Sequence, residues 1–267
     1  MKPVVASNVY IPSSAFVKSI LAAQRKKDGV ALAEGERTAL LALHGSWSPK
    51  ALILESIFSA SEDSREFRML ATKKHIDVYT FNRAAMEKVS SCETAPSVAV
   101  LVAPPAQEFT RLQAPPRRVL VLDRVADPGN AGTLIRSAAA FGFTVMLTAG
   151  SVSLTNEKLI RASAGNCFLP DAVFEGATSV ELCAFLISKK YEVLAFMPRA
   201  EKTLAQLDAS SAQNLALILG NETAGVDAEV WSAATPVRIP MRKNVESLNV
   251  AMSGAIALYE LSRPSFL

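Results

Sequence analysis

The spacing of hydrophobic positions changes repeatedly along the chain, and each change marks an element. From Val30 onward short β-prone runs alternate with helical ones. Runs at 30–33, 51–55, 76–81 and 98–103 read as strands, and 36–44, 64–74 and 83–89 read as helices. Before them, residues 1–12 follow no regular pattern. A helix is predicted over 14–27, with Phe16, Ile20 and Ala23 on one side and Arg25-Lys26-Lys27-Asp28-Gly29 at its end. This rhythm predicts a small α/β domain over residues 1–103. Residues 104–116, PPAQEFTRLQAPP, lack apolar periodicity and carry two Pro-Pro pairs, the pattern of a stiff linker.

A second domain is predicted over 117–267, with more regular alternation. The continuous apolar run at 119–123 suits a strand buried on both faces of a parallel sheet. Helices follow at 131–141, 156–163, 179–189 and 228–232, and strands at 144–147, 172–174, 192–196, 215–219 and 237–239. A last helix opens at Ser247-Leu248-Asn249. The whole is a doubly wound α/β pattern with a mostly parallel sheet of about five or six strands.

Three polar turns stand out, each leaving a strand and entering a helix, where open α/β sheets bind ligands. The first is DPGNAGTLIRSAAAFGF at 127–143, with Asn130 in the turn and Arg136 six residues on. Asn130 can be read as a helix cap or as a site residue. The second is LALILGNETAGV at 215–226, where Gly220 and Gly225 permit close backbone approach. Glu222 there either caps the next helix or accepts hydrogen bonds in a pocket. The turn has neither the GxGxxG of a dinucleotide site nor the GxxxxGK[ST] of a triphosphate site. The third is VRIPMRKNVESLNVAMSGAIALYE at 237–260. Here Ser247 is placed to cap the last helix, with Asn249 in its first turn. Leu248, Met252, Ile256 and Tyr259 form an apolar stripe that serves a core or a subunit interface.

Composition narrows the chemistry. Of 267 residues, 50% are hydrophobic and 20% charged, an ordinary globular balance. A formal charge of +3 permits a polyanionic partner without requiring one. Cys92, Cys167 and Cys183 are far apart, as are His44 and His75, so neither a metal site nor a disulfide framework is expected. Reduced thiols, with no stretch of membrane-spanning length, predict a cytoplasmic protein. There is no GxSxG and no histidine near any of the turns, which argues against hydrolase and histidine-based chemistry. Asn130, Arg136, Glu222, Ser247 and Asn249 remain. They suit the positioning of a hydroxyl and a phosphate. The run Arg25-Lys26-Lys27 reads equally as a solvated helix end or as a phosphate contact.

Taken in order, the three turns resemble the three motifs of the SpoU/TrmH branch of the SPOUT methyltransferases, over residues 118–262. The resemblance implies transfer of a methyl group from S-adenosyl-L-methionine to a ribose 2′-hydroxyl of RNA. It also implies a SPOUT α/β knot, a deep trefoil knot built on a mostly parallel sheet. Gly220, Asn221, Ile239, Met241, Leu248 and Asn249 would hold the cofactor. Arg136 would carry the central role, Asn130 and Glu222 would orient it or the ribose, and Ser247 and Asn249 would complete the pocket. A homodimer is implied, with its surfaces on the last helix and the helix after Asn130. No metal is implied.

The N-terminal part resembles the small α/β RNA-binding domain of many members, similar to certain ribosomal proteins. GVALAEGERTALLAL (29–43) and SVAVLVAPP (97–105) carry that resemblance. Arg25, Lys26, Lys27 and Arg37 are its implied RNA contacts. One departure is Thr94-Ala95-Pro96-Ser97, where relatives often have Thr-Pro-Gln-Gly. The layout points to ribosomal RNA of the large subunit, at guanosine or uridine. A tRNA target and a catalytically silent RNA-binding assembly factor are the alternatives.

Overall fold

Short apolar runs build a mixed sheet in the first hundred residues and a parallel sheet in the rest. The computed structural model describes residues 9–10, 20, 29–105, 116–170, 172–207, 213–221, 225–242 and 244–263. The chain divides into two units. One comprises Met1–Ala106 with Thr155–Ile160 and Phe168–Pro170, and the other Gln107–Leu154, Arg161–Cys167 and Asp171–Leu267. Most of the expected linker, residues 106–115, lies outside the described residues, as do Arg25, Lys26 and Lys27. Of the helix expected over 14–27, only Ile20 is described; it is helical and buried.

The first unit holds strands β1 (Val9–Tyr10), β2 (Ala31–Glu34), β3 (Ser48–Glu55), β4 (Asp77–Phe81) and β5 (Val98–Ala103), in the order β1-β4-β3-β5-β2. β1, β4 and β3 are parallel, and β5 runs antiparallel to both β3 and β2. Three expectations are corrected here. The N-terminal stretch expected to be irregular contributes β1, whose two residues pair with Val78 and Tyr79 and are too few to show a period. β3 starts at Ser48 rather than at 51, and its register shifts between Pro49 and Ala51. A proline has no N–H to give the ladder, so the irregularity falls beside it. A short helix, Ser56–Ala60, was not foreseen, because its cap is a glutamate: the Glu55 side chain accepts from the Ile57 and Phe58 amides at 3.0 and 3.3 Å.

The second unit is a six-stranded parallel sheet: β6 (Arg118–Leu122), β7 (Thr144–Leu147), β8 (Val173–Glu175), β9 (Glu192–Phe196), β10 (Leu215–Leu219) and β11 (Thr235–Val237), in the order β11-β9-β10-β6-β7-β8. Every residue of β7 and β10 is buried, as two covered faces demand. From β6 the chain moves outward to β7 and β8, then returns to the other side as β9 and β10. The direction reverses between β6 and β10, which pair along their whole length. Their carboxyl ends therefore flank the switch point where such sheets take ligands.

Local chemistry shifts three boundaries. The first helix of this unit is Pro128–Ala140, three residues earlier than expected, and its cap is Asp127 rather than Asn130. The Asp127 carboxylate accepts from the Asn130 amide at 2.7 Å. Pro128 occupies the first turn, where its missing N–H has no intrahelical use. β11 ends at Val237 rather than beginning there, and carries Pro236 because it is an edge strand. The last helix is Val250–Ser262, capped by Asn249, whose side chain accepts from the Ala251 and Met252 amides at 2.8 and 3.2 Å. Ser247 is not the cap.

Candidate functional site

A cleft of about 480 Å3 opens at the carboxyl edge of the parallel sheet. Phe196 ends β9 and Pro198 follows it, and Leu219 ends β10 with Gly220, Asn221 and Gly225 beyond it. Met241, Ser247, Leu248 and Asn249 come from the segment before the last helix, and Val250 and Ser253 from the helix itself. The second and third turns thus share one wall. Two glycines make that possible. A Cβ on Gly220 would lie 2.2 Å from the backbone carbon of Gly225, so only glycine lets the turn close on itself. A Cβ on Gly254 would lie 2.2 Å from Leu134 and 2.7 Å from Leu219. Glycine therefore lets the last helix lie close against helix Pro128–Ala140 and β10.

That close packing brings the first turn to the third. The Asn249 side-chain amide donates to the Asn130 side-chain oxygen at 3.0 Å, across 119 residues of sequence. Asn249 spends its own oxygen on the helix cap, so one side chain fixes both the helix start and its neighbour.

The sequence-derived site residues distribute unevenly. Gly220, Asn221, Met241, Ser247, Leu248 and Asn249 line the cleft, and Asn130 is bonded to its rim. Ile239 is half-buried, two residues past β11, and is not among the lining residues. Arg136 is exposed on helix Pro128–Ala140, also outside the cleft lining. Six residues of α-helix carry it about 9 Å along the axis and roughly 120° around it from Asn130. Glu222 lies outside the described residues. Arg37 is exposed on helix Glu36–His44, in the other unit. Phe196, Pro198 and Ser253 were missed. Their signals were available: the first two sit just at or past the carboxyl end of a buried strand, and Ser253 lies one helical turn beyond Asn249.

A buried polar network underlies the cleft. Asp123, fully buried at the end of β6, accepts from both Arg124 guanidinium arms at 3.1 and 3.0 Å and from the Asp227 amide at 3.2 Å. The hydrogen bond and charge of Asp123 hold the Arg124 pKa above its ordinary value. The thiols offer no nucleophile near the cleft: burial pushes Cys167 up to about 12 and raises Cys183 as well. Among the described residues, no cluster of His, Cys, Asp or Glu is arranged to hold a metal, and no helix is long and apolar enough to cross a membrane.

Comparison with known proteins places this architecture. The SpoU rRNA Methylase family matches residues 117–259. An uncharacterized tRNA/rRNA methyltransferase of Synechocystis sp. is 32% identical over 254 residues, covering 90% of this chain and 86% of the relative. The 23S rRNA (guanosine(2553)-2′-O)-methyltransferase of Bacillus subtilis is 29% identical, covering 89% and 90%. The crystal structure of an AdoMet-bound rRNA methyltransferase from Sinorhizobium meliloti superposes with a TM-score of 0.83 at 23% identity, covering 96% of this chain and 98% of that one. The fold is accordingly the α/β SPOUT fold expected from the three turns. The chain belongs to the SpoU rRNA Methylase family.

Proposed function

We propose that this protein methylates a ribose 2′-hydroxyl of large-subunit ribosomal RNA, at a guanosine or uridine, using S-adenosyl-L-methionine held in the cleft. Family membership makes it an RNA 2′-O-methyltransferase. The observation that carries the site assignment is the Asn249–Asn130 hydrogen bond, which joins the first motif to the third at the rim of a cleft walled by the second. The cleft's volume falls within the range of cofactor sites. Its mix of apolar groups (Phe196, Leu219, Leu248) with Asn221, Ser247 and Asn249 suits a nucleoside bearing a polar tail.

The cofactor supplies an electrophilic methyl group, so the protein's task is alignment and proton management. Arg136 offers N–H donors and no acceptor, which suits it to hydrogen bonding rather than to proton abstraction. In this reading it donates hydrogen bonds to the 2′-oxygen and to the neighbouring RNA phosphate, and the phosphate shares the proton. Asn130 and Glu222 orient the ribose or the arginine. Arg25, Lys26, Lys27 and Arg37 contact RNA from the N-terminal unit.

The placement of Arg136 outside the cleft supports a homodimer in which each site is completed by the other subunit. So does the exposed stripe on the last helix, where Met252, Ile256 and Tyr259 are 56%, 45% and 52% accessible. A core role for that stripe is excluded by this exposure. A tRNA target is the second reading, favoured by the joint tRNA/rRNA description of the Synechocystis relative. Mapping 2′-O-methyl marks on total RNA from cells with and without the protein decides between them. Loss of one ribose mark in large-subunit RNA is expected; loss of a tRNA mark, or of a base mark, overturns the ribosomal assignment.

A further inference from the structure

Arg124 has no place in the motifs that identify the family, yet it occupies an unusual position. It lies two residues past β6, at a backbone φ of 55°, where an L side chain is disfavoured and glycine or asparagine is usual. Its side chain forks onto Asp123 and also reaches the Gly225 carbonyl at 3.4 Å. Its own carbonyl accepts from the Asn221 side chain at 2.9 Å. Asn221 and Gly225 bond each other through both backbone amides, at 3.2 and 2.9 Å, closing the turn that walls the cleft. Asp123 adds further anchors: its carboxylate accepts from the Asp227 amide just past that turn and from the Thr148 hydroxyl at 3.4 Å. Residues 123–124 therefore grip Asn221, Gly225 and Asp227, although about a hundred residues separate them in sequence.

We propose that Arg124, held by Asp123, is a positioning residue that fixes Asn221 and Gly225 in their cofactor-binding arrangement. The left-handed backbone at Arg124 aims its carbonyl at one arm of the turn while its guanidinium holds the other. Asp123 is 1% accessible at its side chain and Arg124 38%. The carboxylate is thus the buried anchor, and the arginine spans from it to the turn. A lysine there would keep the charge beside Asp123 but lose the planar fork that serves two acceptors at once. The proposal rests on reading the cleft as the S-adenosyl-L-methionine site, and the test separates the two.

Arg124→Gly removes the guanidinium and relieves the left-handed backbone, while Asp123→Asn/Arg124→Gly also removes the buried charge that the single variant leaves behind. Amide hydrogen exchange without cofactor reads the turn alone. Exchange at Asn221 and Gly225 is expected to rise at least about tenfold in either variant while the strands keep their protection. Calorimetric titration with S-adenosyl-L-methionine should then show affinity about 5- to 20-fold weaker, with Arg124→Lys intermediate. These are the shifts expected from losing one or two charge-assisted hydrogen bonds. Unchanged exchange at the turn overturns the proposal, and so does faster exchange with unaltered affinity. If the wild-type protein binds no S-adenosyl-L-methionine, the reading of the cleft fails, while the exchange result still decides whether Arg124 holds the turn.

Discussion

The two sheets of this chain use their polar groups differently. In the first, four strands share one direction and β5 runs against them, so its edges mix strand starts with strand ends. Its polar side chains serve the fold: Glu34 accepts from Ser91 through backbone and hydroxyl, and Glu55 caps the following helix. In the second, all six strands are parallel, so every carboxyl end faces one way and the polar turns that follow them converge. Asn130, Gly220, Asn221 and Asn249 are brought together by topology rather than by sequence proximity. Similar polar residues, with caps of similar chemistry, serve the scaffold in one sheet and border a cleft in the other.

This contrast predicts a graded set of effects. The largest should come from Gly220→Ala. The added methyl has nowhere to go without moving the Gly225 backbone, and displacement of a site by about 1 Å can cost about 100-fold. Methyl transfer should fall by that order, and calorimetry should register weaker S-adenosyl-L-methionine binding. Gly254→Leu comes next: overpacking against the buried Leu134 and Leu219 should destabilise the protein by about 1–3 kcal/mol in denaturant melts. It should also lower methyl transfer, because the helix that carries Asn249 must shift. The smallest belongs to the other sheet. Glu55→Ala removes a helix cap and should cost about 1 kcal/mol, with the transfer rate per folded molecule unchanged. A loss of transfer in Glu55→Ala beyond its loss of folded protein would break the division between the sheets.

Much of this was legible in the sequence because the signals were local. Continuous apolar runs announced β6 and β10, and the polar turns announced the segments that line the cleft or bond to its rim. What stayed hidden depended on distant partners. Ser247 and Asn249 are both good caps, and propensity cannot rank them. The choice goes to Asn249, whose amide is also taken by Asn130 and whose helix is seated by Gly254. Asp123 was visible as a strand end, but Arg124 gave no sign that it would reach Gly225, 101 residues later. The two-residue β1 is too short to carry a period, and its pairing with β4 is set by a strand nearly seventy residues away.

The central claim is that methyl transfer to a ribose 2′-oxygen occurs at the carboxyl edge of the second sheet with Arg136 as the group that handles the hydroxyl. Its most direct test is methyl transfer from labelled S-adenosyl-L-methionine to ribosomal RNA by the wild type and Arg136→Ala, with the methylated nucleoside identified after digestion. The account predicts a 2′-O-methyl nucleoside from the wild type. It predicts turnover lower by about 10²–10³-fold in Arg136→Ala, the scale of losing one electrostatic donor to a transition state, with cofactor affinity within about twofold. A methyl group on a base, or near-normal turnover by Arg136→Ala, would contradict it.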